Sequence, residues 1–395
     1  MTSGRVLRVA VVSLAAVAFV LGSSLAGARA RPEIAAPGTW HRLPPAPIEP
    51  DNSVSVWTGK RLLVFGRVTS RAANGAVRKR VDVAASYNPV AGVWRRLPSP
   101  GPTDAFMSYR AVWTGKEMLV WGQGLREAFN PATERWRRLP PPPLTAHDGA
   151  GLVVWTGREL IGWGGGCCGD AFSDGAAYNP TTNTWRKLPR PPVGGQQSPV
   201  GVWTGRELVV VNGRDADGKA VGGAAYSPAT DTWRRIPSLP ASHYGGNAVW
   251  DGRDVLVVGG GTKTSRSRPP APARTLYAYS PGANRWRQLR SLQAGRAEAA
   301  AVWTGRRLLV WGGETGSAGS LYLAPYGLAY DPTSDRWSQL PPAPLQGRLD
   351  PTAIWSGHGL IVWGGEPLVR TPPGTVGASD FWPSVDGAIF TPASS

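Results

Sequence analysis

The chain has 395 residues, and its 43 Lys and Arg against 26 Asp and Glu give a formal net charge of +17. Gly (51) and Pro (38) are abundant, but 19 Trp and a hydrophobic share of 42% exclude a low-complexity chain and favour a packed fold rich in turns. The excess of positive charge favours encounters with acidic surfaces and polymers.

The first predicted element is an export signal over residues 1–30. Arg5 and Arg8 precede an apolar run at 9–21, and small residues with A-x-A spacing follow. The run is shorter than the roughly 20 apolar residues that a membrane span needs. We therefore expect cleavage and a protein that is secreted or held outside the cell envelope, with an uncleaved N-terminal anchor as the alternative. Residues 31–37 are predicted to be a short linker.

From residue 38 onward, two phrases alternate. In the first, exemplified by VWTGKRLLVFG, an apolar strand ends at Trp, Thr-Gly or Asp-Gly makes a turn, and a second apolar strand follows. Because this second strand is apolar at nearly every position, both of its faces must be covered, as they are when blades stack around a ring. The phrase occurs seven times, and its tryptophans are Trp57, Trp113, Trp155, Trp203, Trp250, Trp303 and Trp355.

The second phrase supplies another hairpin, as in YNPTTNTWRKLP. A strand ends at Tyr, Asn-Pro or Asp-Pro starts the turn, and a strand that begins at Trp leads out of the repeat. Four strands per repeat, at a period of about 50 residues, resemble kelch repeats. The matching marks are the Gly-Gly pairs after the second strand, the Tyr, and the Trp seven residues later: Trp94, Trp136, Trp185, Trp233, Trp286 and Trp337.

The resemblance to kelch and galactose oxidase-like propellers covers residues 38–395. It implies one all-β domain, a seven-bladed β-propeller with four antiparallel strands per blade. The seventh outer-strand Trp is Trp40, in TWHRLP at the start, whereas the chain ends at GAIFTP with no Trp after it. We therefore expect the N-terminal strand to complete the last blade and to close the ring, which removes two open sheet edges.

The link between the second and third strands is the one that varies, from seven residues in blade 2 to 26 in blade 7. Variable loops on a rigid scaffold usually carry binding. The short segments that enter the inner strands rim the channel on the same face. The predicted ligand-binding residues, taken from these segments and from the long last loop, are Arg110, His147, Asp148, His243, Arg296, Glu298, Arg348, Asp350 and Trp382.

Arg, His and carboxylates around a channel predict a binding or interaction module for an anionic glycan, another anionic polymer or a protein. In the alternative interpretation these side chains are solvated, salt-bridged loop residues. Some bacterial kelch proteins are sialic acid epimerases, so the resemblance also leaves open an extracellular carbohydrate-active enzyme. In that case Glu298 with His147 or His243 would act as base and acid. No residue is assigned as catalytic.

Galactose oxidase-like propellers hold copper with two His and with Tyr, one Tyr being cross-linked to Cys. Here His147 and His243 lie two blades apart, and the only cysteines, Cys167 and Cys168, are adjacent in one loop. We therefore expect no copper, no other metal and no cofactor. The two cysteines are expected either to form a strained vicinal disulfide or to have no functional role.

Most tryptophans occupy repeat positions and are interpreted as packing residues, with Trp382 as the exception. The arginines of the WRR phrase are interpreted as charges that protect an outermost strand from pairing, in preference to nucleic-acid contacts. Export also argues against nucleic acid, and we expect a monomer.

Overall fold

The computed structural model describes most of the chain, and every regular element in the described ranges is a β-strand. These ranges are 37–50, 52–71, 77–101, 109–122, 124–144, 151–166, 169–240, 243–262, 271–317, 320–367 and 384–393. In them we find no helix with the length and hydropathy of a membrane span. The predicted export signal lies outside these ranges and stays a prediction.

The strands form a seven-bladed propeller in which each blade is a four-stranded antiparallel sheet, as the repeats predict. From the channel outward, the blades comprise Asn52–Trp57, Leu62–Arg71, Val77–Asn88 and Val93–Leu97 (blade 1); Tyr109–Trp113, Met118–Gly122, Leu125–Asn130 and Arg135–Arg138 (blade 2); Leu152–Trp155, Leu160–Trp163, Gly175–Asn179 and Thr184–Lys187 (blade 3); Gln197–Trp203, Leu208–Arg214, Ala224–Ser227 and Thr232–Arg235 (blade 4); Asn247–Trp250, Val255–Val258, Leu276–Ser280 and Arg285–Gln288 (blade 5); Ala300–Trp303, Leu308–Trp311, Gly327–Asp331 and Arg336–Gln339 (blade 6); Thr352–Trp355, Leu360–Trp363, Gly387–Pro392 and Gly38–Arg42 (blade 7).

Short additional strands decorate the loops. Ala220–Val221 extends blade 4. The others pair locally, and they are His243–Tyr244 with Gly261–Thr262 and Ala271–Pro272, Glu314–Ser317 with Ser320–Leu323, and Arg348–Leu349 with Glu366–Pro367.

The N-terminal strand closes the ring. Gly38–Arg42 pairs antiparallel with Gly387–Pro392, and Trp40 lies opposite Phe390. The inner strand of each blade contacts the inner strand of the next, including blade 7 with blade 1. The prediction that Trp40 completes the last blade is therefore confirmed.

Contacts between blades explain why the Trp-x-x-Leu-Pro motif recurs. Trp185 packs on Tyr178 of its own blade, with ring centroids 5.0 Å apart, and the following Leu188 is buried. Its indole N–H donates to a carbonyl at the end of the preceding outer strand, and this bond recurs in every blade at 2.7–3.0 Å. The seven pairs are Trp40 to Pro341, Trp94 to Pro44, Trp136 to Pro98, Trp185 to Pro140, Trp233 to Pro189, Trp286 to Pro237 and Trp337 to Arg290.

The first arginine of the outer-strand phrase is a clamp between blades. Arg186 binds the Glu159 carboxylate of its own blade at 2.9 Å and donates to the Tyr226 hydroxyl and to Asp231 in the next blade, both at 3.0 Å. The hydrogen bond to Glu159 raises the pKa of the Arg186 guanidinium. Arg137 and Arg234 repeat the arrangement.

This corrects the interpretation of those three arginines as edge charges. Their guanidiniums are committed to carboxylates and to the neighbouring blade, because the outer strand faces that blade at this position. The second basic residue of the phrase, as at Arg96 and Arg235, is exposed.

Candidate functional site

Two faces of the ring differ in construction. The tight turns between the first and second strands and between the third and fourth strands share one face, since both kinds of turn line the same groove. We call it the turn face. The opposite loop face carries the variable links and the segments that enter the inner strands.

On the loop face, paired glycines bring the ends of blades 6 and 7 to the channel. Gly312 and Gly313 have φ values of +73° and +78°, and a Cβ on Gly313 would lie 2.4 Å from the Ala297 carbonyl oxygen. Only glycine fits such a close approach in this conformation. The turn sets Glu314 against Ala297 in a β-bridge. Blade 7 repeats the turn, so that Glu366 pairs with Leu349.

The result is a group of four carboxylates, which we call the acidic mouth: Glu298, Glu314, Asp350 and Glu366. The Asp350 N–H donates to the Glu298 carbonyl at 2.8 Å, which ties the two entering segments together. Both residues have left-handed backbone, with φ of 52° at Glu298 and 42° at Asp350. This conformation is uncommon for residues other than glycine and indicates that the surrounding contacts fix it.

Burial and neighbouring charges raise the pKa of three carboxyl groups of the acidic mouth. Burial, together with repulsion from Glu298 and Glu366, raises the pKa of Asp350 to about 6, and Arg110 opposes the rise. Burial and the charges of Glu314 and Glu366 also raise the pKa of Glu298. The pKa of Glu314 is raised by burial alone.

Arg110 is the cation of the acidic mouth and comes from blade 2. Its side chain, like those of Glu298 and Asp350, reaches solvent, yet burial lowers its pKa, and the charge of Asp350 partly restores it. Contact with water combined with enclosure by protein is typical of side chains that project into a channel. The charges of Arg110 and Asp350 therefore interact although blade 1 lies between the blades that carry them.

The other two predicted arginines lie beneath the surface. Arg348 is 1% exposed and donates to the Asp386 carboxylate at 2.7 Å and to the Gly364 carbonyl at 3.0 Å. Arg296 is also 1% exposed and stacks on the Tyr326 ring at 4.6 Å. It donates to the Thr315 hydroxyl at 2.7 Å, while its Nε and Nη2 find no acceptor among the described residues. Both arginines support the acidic mouth and do not line it.

The remaining predicted residues are placed only in part. His243 lies on the short strand that pairs with Gly261–Thr262. Only its backbone position is described. Five positions lie outside the described residues: His147, Asp148, Cys167, Cys168 and Trp382. Their predicted roles stay predictions.

Sequence reasoning missed Glu314 and Glu366. The signal was present, because the same five letters, VWGGE, end the second strand of both blade 6 and blade 7. The glycines belong to the repeat. The glutamate that follows them occurs in blades 6 and 7 only, so the repeat itself does not account for it.

Comparison with known proteins identifies the fold alone. No family model matches the chain, and no curated protein matches it. Many solved structures are similar, and two of them, both at 15% identity, illustrate the likeness. One is that of YjhT, with a TM-score of 0.51 over 76% of this chain and 99% of the other. The second is a fungal alcohol oxidase of the AA5 family in complex with copper, with a TM-score of 0.65 over 90% of this chain and 76% of the other. The fold is that of a kelch-like, galactose oxidase-like propeller.

The copper of that oxidase prompts a test of the donor set here. Within the described residues, no three side chains of His, Cys, Asp and Glu converge closely enough to hold a metal ion. The described histidines are scattered, with His41 on an outer strand and His358 at a tight turn. The described donors do not fit a copper centre.

Proposed function

We propose that this protein is a binding module whose ligand enters the channel on the loop face and contacts the acidic mouth. The observation that carries the proposal is that Glu298, Asp350 and Arg110, which come from three separate blades, are all exposed to solvent and yet close enough for their charges to interact. Concave sites with a few convergent polar groups are the usual form of ligand sites. Loops of variable length on this rigid face agree with that role.

The charge of the acidic mouth selects the class of ligand. Four carboxylates against Arg110 disfavour the anionic ligand that the net charge suggests. Carboxylates accept hydrogen bonds strongly, and hydroxyl groups supply the donors. We therefore propose a neutral, hydroxyl-rich ligand, that is, a glycan without acidic groups.

A glycan array that contains matched neutral and acidic glycans tests this proposal. We expect neutral glycans to bind, and Asp350→Asn to weaken that binding about tenfold, since a hydrogen bond to a charged group contributes about 1.5 kcal/mol or more. Asp217→Asn is the control, because Asp217 is 79% exposed on another loop and the charge change is identical. Binding confined to acidic glycans, or equal losses in both variants, would contradict the proposal.

A carbohydrate-active enzyme is the second candidate, and one observation favours it. The pKa of Asp350, at about 6, lies close to neutral pH, where a carboxyl group both donates and accepts protons efficiently. An NMR time course on any sugar that binds separates the two candidates. A new sugar species that Asp350→Asn abolishes would establish catalysis, and unchanged sugar would establish a binding module.

A further inference from the structure

The turn face carries a ring of basic side chains. In each of seven turns between the first and second strands, the residue after glycine is basic and exposed. We call this set the basic crown: Lys60, Lys116, Arg158, Arg206, Arg253, Arg306 and His358. Since the inner strands contact one another around the whole ring, these tips encircle one end of the channel.

The backbone of the turn does not demand a cation at this position. In blade 3, Thr156 donates its N–H to the Glu159 carbonyl, and its Oγ1 accepts the N–H groups of Arg158 and Glu159. Gly157 takes a φ of +93°, which requires glycine. Arg158 itself has no such constraint, so threonine and glycine account for the turn and leave the charge at its tip unexplained.

Nearby carboxylates are already engaged. Glu159 binds Arg186, Glu207 binds Arg234 and Glu117 binds Arg137, all within 2.9 Å. Three more ion pairs engage the other acids: Asp254 with Arg287, Asp331 with Arg307, and Glu134 with Arg95.

Each of these acids therefore neutralises a cation outside the basic crown. Three further acids lie in turns of this face: Asp231, Asp251 and Asp335. They are outnumbered by the six Lys and Arg of the basic crown, none of which forms an ion pair with any described residue. The turn face thus keeps a net positive charge.

Grooves run between the tips. One groove, of about 1490 Å³, extends across blades 3 to 5, between the tips at Arg158, Arg206 and Arg253 and the outer turns near Pro228 and Pro281. A second groove, of about 730 Å³, lies between the tips at Lys60 and Lys116. A chain-like ligand would meet several tips in succession in these grooves.

We propose that the basic crown binds a linear polyanion, a polymer chain with repeated phosphate or carboxylate groups that lies in these grooves. Arginine pairs with both groups in bidentate geometry, and a ring of spaced cations favours a ligand with repeated charges over a single small anion. This site lies on the face opposite the acidic mouth and does not depend on the proposed function there.

An anionic membrane is the competing partner, and the surface fits it less well. Membrane-surface binding combines cations with apolar side chains that enter the lipid. Among the described residues, the exposed large apolar side chains on this face are Val90 and Val93, both in one outer turn of blade 1. Recessed grooves also suit a polymer chain better than a flat layer of headgroups.

The test compares two triple variants of the purified chain that remove the same charge. Arg158→Gln with Arg206→Gln and Arg253→Gln removes three tips of the larger groove. The control, Arg96→Gln with Lys187→Gln and Arg235→Gln, removes three exposed charges of the outer strands. Binding of polyphosphate and of poly-L-glutamate is measured at several salt concentrations, and phosphatidylserine vesicles are measured in parallel.

We expect the tip variant to lose roughly 30-fold in affinity for the polymers, since an exposed ion pair contributes about 0.6 kcal/mol, or roughly threefold, for each of three. The salt dependence should fall in parallel, because fewer counterions are released. The control should lose less than about threefold, and both variants should melt with the parent. Equal losses in the two variants, no polymer binding by the parent, or binding to vesicles alone would overturn the proposal. Neutral-glycan binding at the acidic mouth should survive in the tip variant, so a failure here is distinguishable from a failure there.

Discussion

Single carboxyl groups at the acidic mouth gain their properties from neighbours on other blades. Asp350 lies at the end of a short entering segment, and nothing in its own sequence neighbourhood distinguishes it from the exposed Asp217. The pKa of Asp350 is raised because burial replaces part of its water with protein, and because Glu298 and Glu366 repel its charge. Arg110 limits the effect.

The pKa of Asp350 gives a prediction with a definite sign. The folded value of about 6 lies above the value of 3.8 for a free side chain, so the folded state binds the proton more tightly than the unfolded state does. The associated stability is complete below the unfolded pKa and is lost as the pH rises through about 6. Asp350→Asn, which tolerates the left-handed backbone, should therefore melt above the parent at pH 7.5, and the gap should close toward pH 4.

Thermal melts across this pH range provide the measurement, with Asp217→Asn as the matched charge control. That control should show no such trend, because its side chain is 79% exposed. An NMR titration of Asp350 with a midpoint below about 4.5 would contradict the assignment.

At the scale of the strand, the outer strand of each blade is the element that joins neighbours. Its tryptophan packs on the tyrosine or phenylalanine of its own blade and donates a hydrogen bond to a carbonyl of the previous blade. In blades 2 to 4 the next arginine also reaches the following blade. The outermost strand of each sheet thus makes the contacts that join neighbouring blades. The recurrence of its sequence reflects these contacts.

The N-terminal strand tests this role. Trp40 contacts Trp311 and Phe390, at centroid distances of 6.4 and 5.3 Å, and donates to Pro341. Trp40→Ala removes a large packed side chain, which costs about 3 kcal/mol of a total stability of roughly 5–15 kcal/mol. We expect a melting temperature about 5 °C lower, and aggregation when 38–45 are deleted, because the third strand of blade 7 then has an open edge.

His41→Ala is the control in the same strand, since its side chain is exposed. It should melt within about 1 °C of the parent. Equal melting of Trp40→Ala and the parent would show that the strand pairs without stabilising the ring.

At the scale of the whole molecule, the sequence predicts the scaffold well and the site only in part. Blade number, strand order and closure follow from counting phrases, because every repeat solves the same packing problem and Trp40 supplies the missing copy. The acidic mouth depends on which side chains meet across the channel. Arg348 and Asp350 are two residues apart, yet one is buried beneath the mouth and the other lines it, and no regular strand alternation predicts that difference. The basic crown was overlooked because each cation sits in an ordinary polar turn.

Ring closure also determines how the whole molecule opens. In an open array of repeats the terminal units contact one neighbour only and open first. Here Gly38–Arg42 and Gly387–Pro392 share the sheet of blade 7, and the inner strands of blades 7 and 1 touch, so the ring has no terminal unit. We expect the buried second strands of blades 1, 4 and 7 to exchange amide hydrogens at the same slow rate, through one cooperative opening. Hydrogen-exchange mass spectrometry of peptides that cover 62–66, 208–212 and 360–363 measures this.

In Trp40→Ala, we expect blade 7, where Gly38–Arg42 pairs with Gly387–Pro392, to exchange amide hydrogens faster than the other blades. Protection from exchange should fall first in 387–392, which pairs with the strand that carries Trp40, and in the adjacent strand 360–363. It should fall next in blade 1, because the inner strand of blade 1 contacts that of blade 7. Blade 4, on the far side of the ring, should change least, and His41→Ala should leave all three regions as in the parent. If 360–363 exchanges faster than 208–212 already in the parent, the two chain ends are held together too weakly to couple the blades, and stability then resides in each blade and its immediate neighbours.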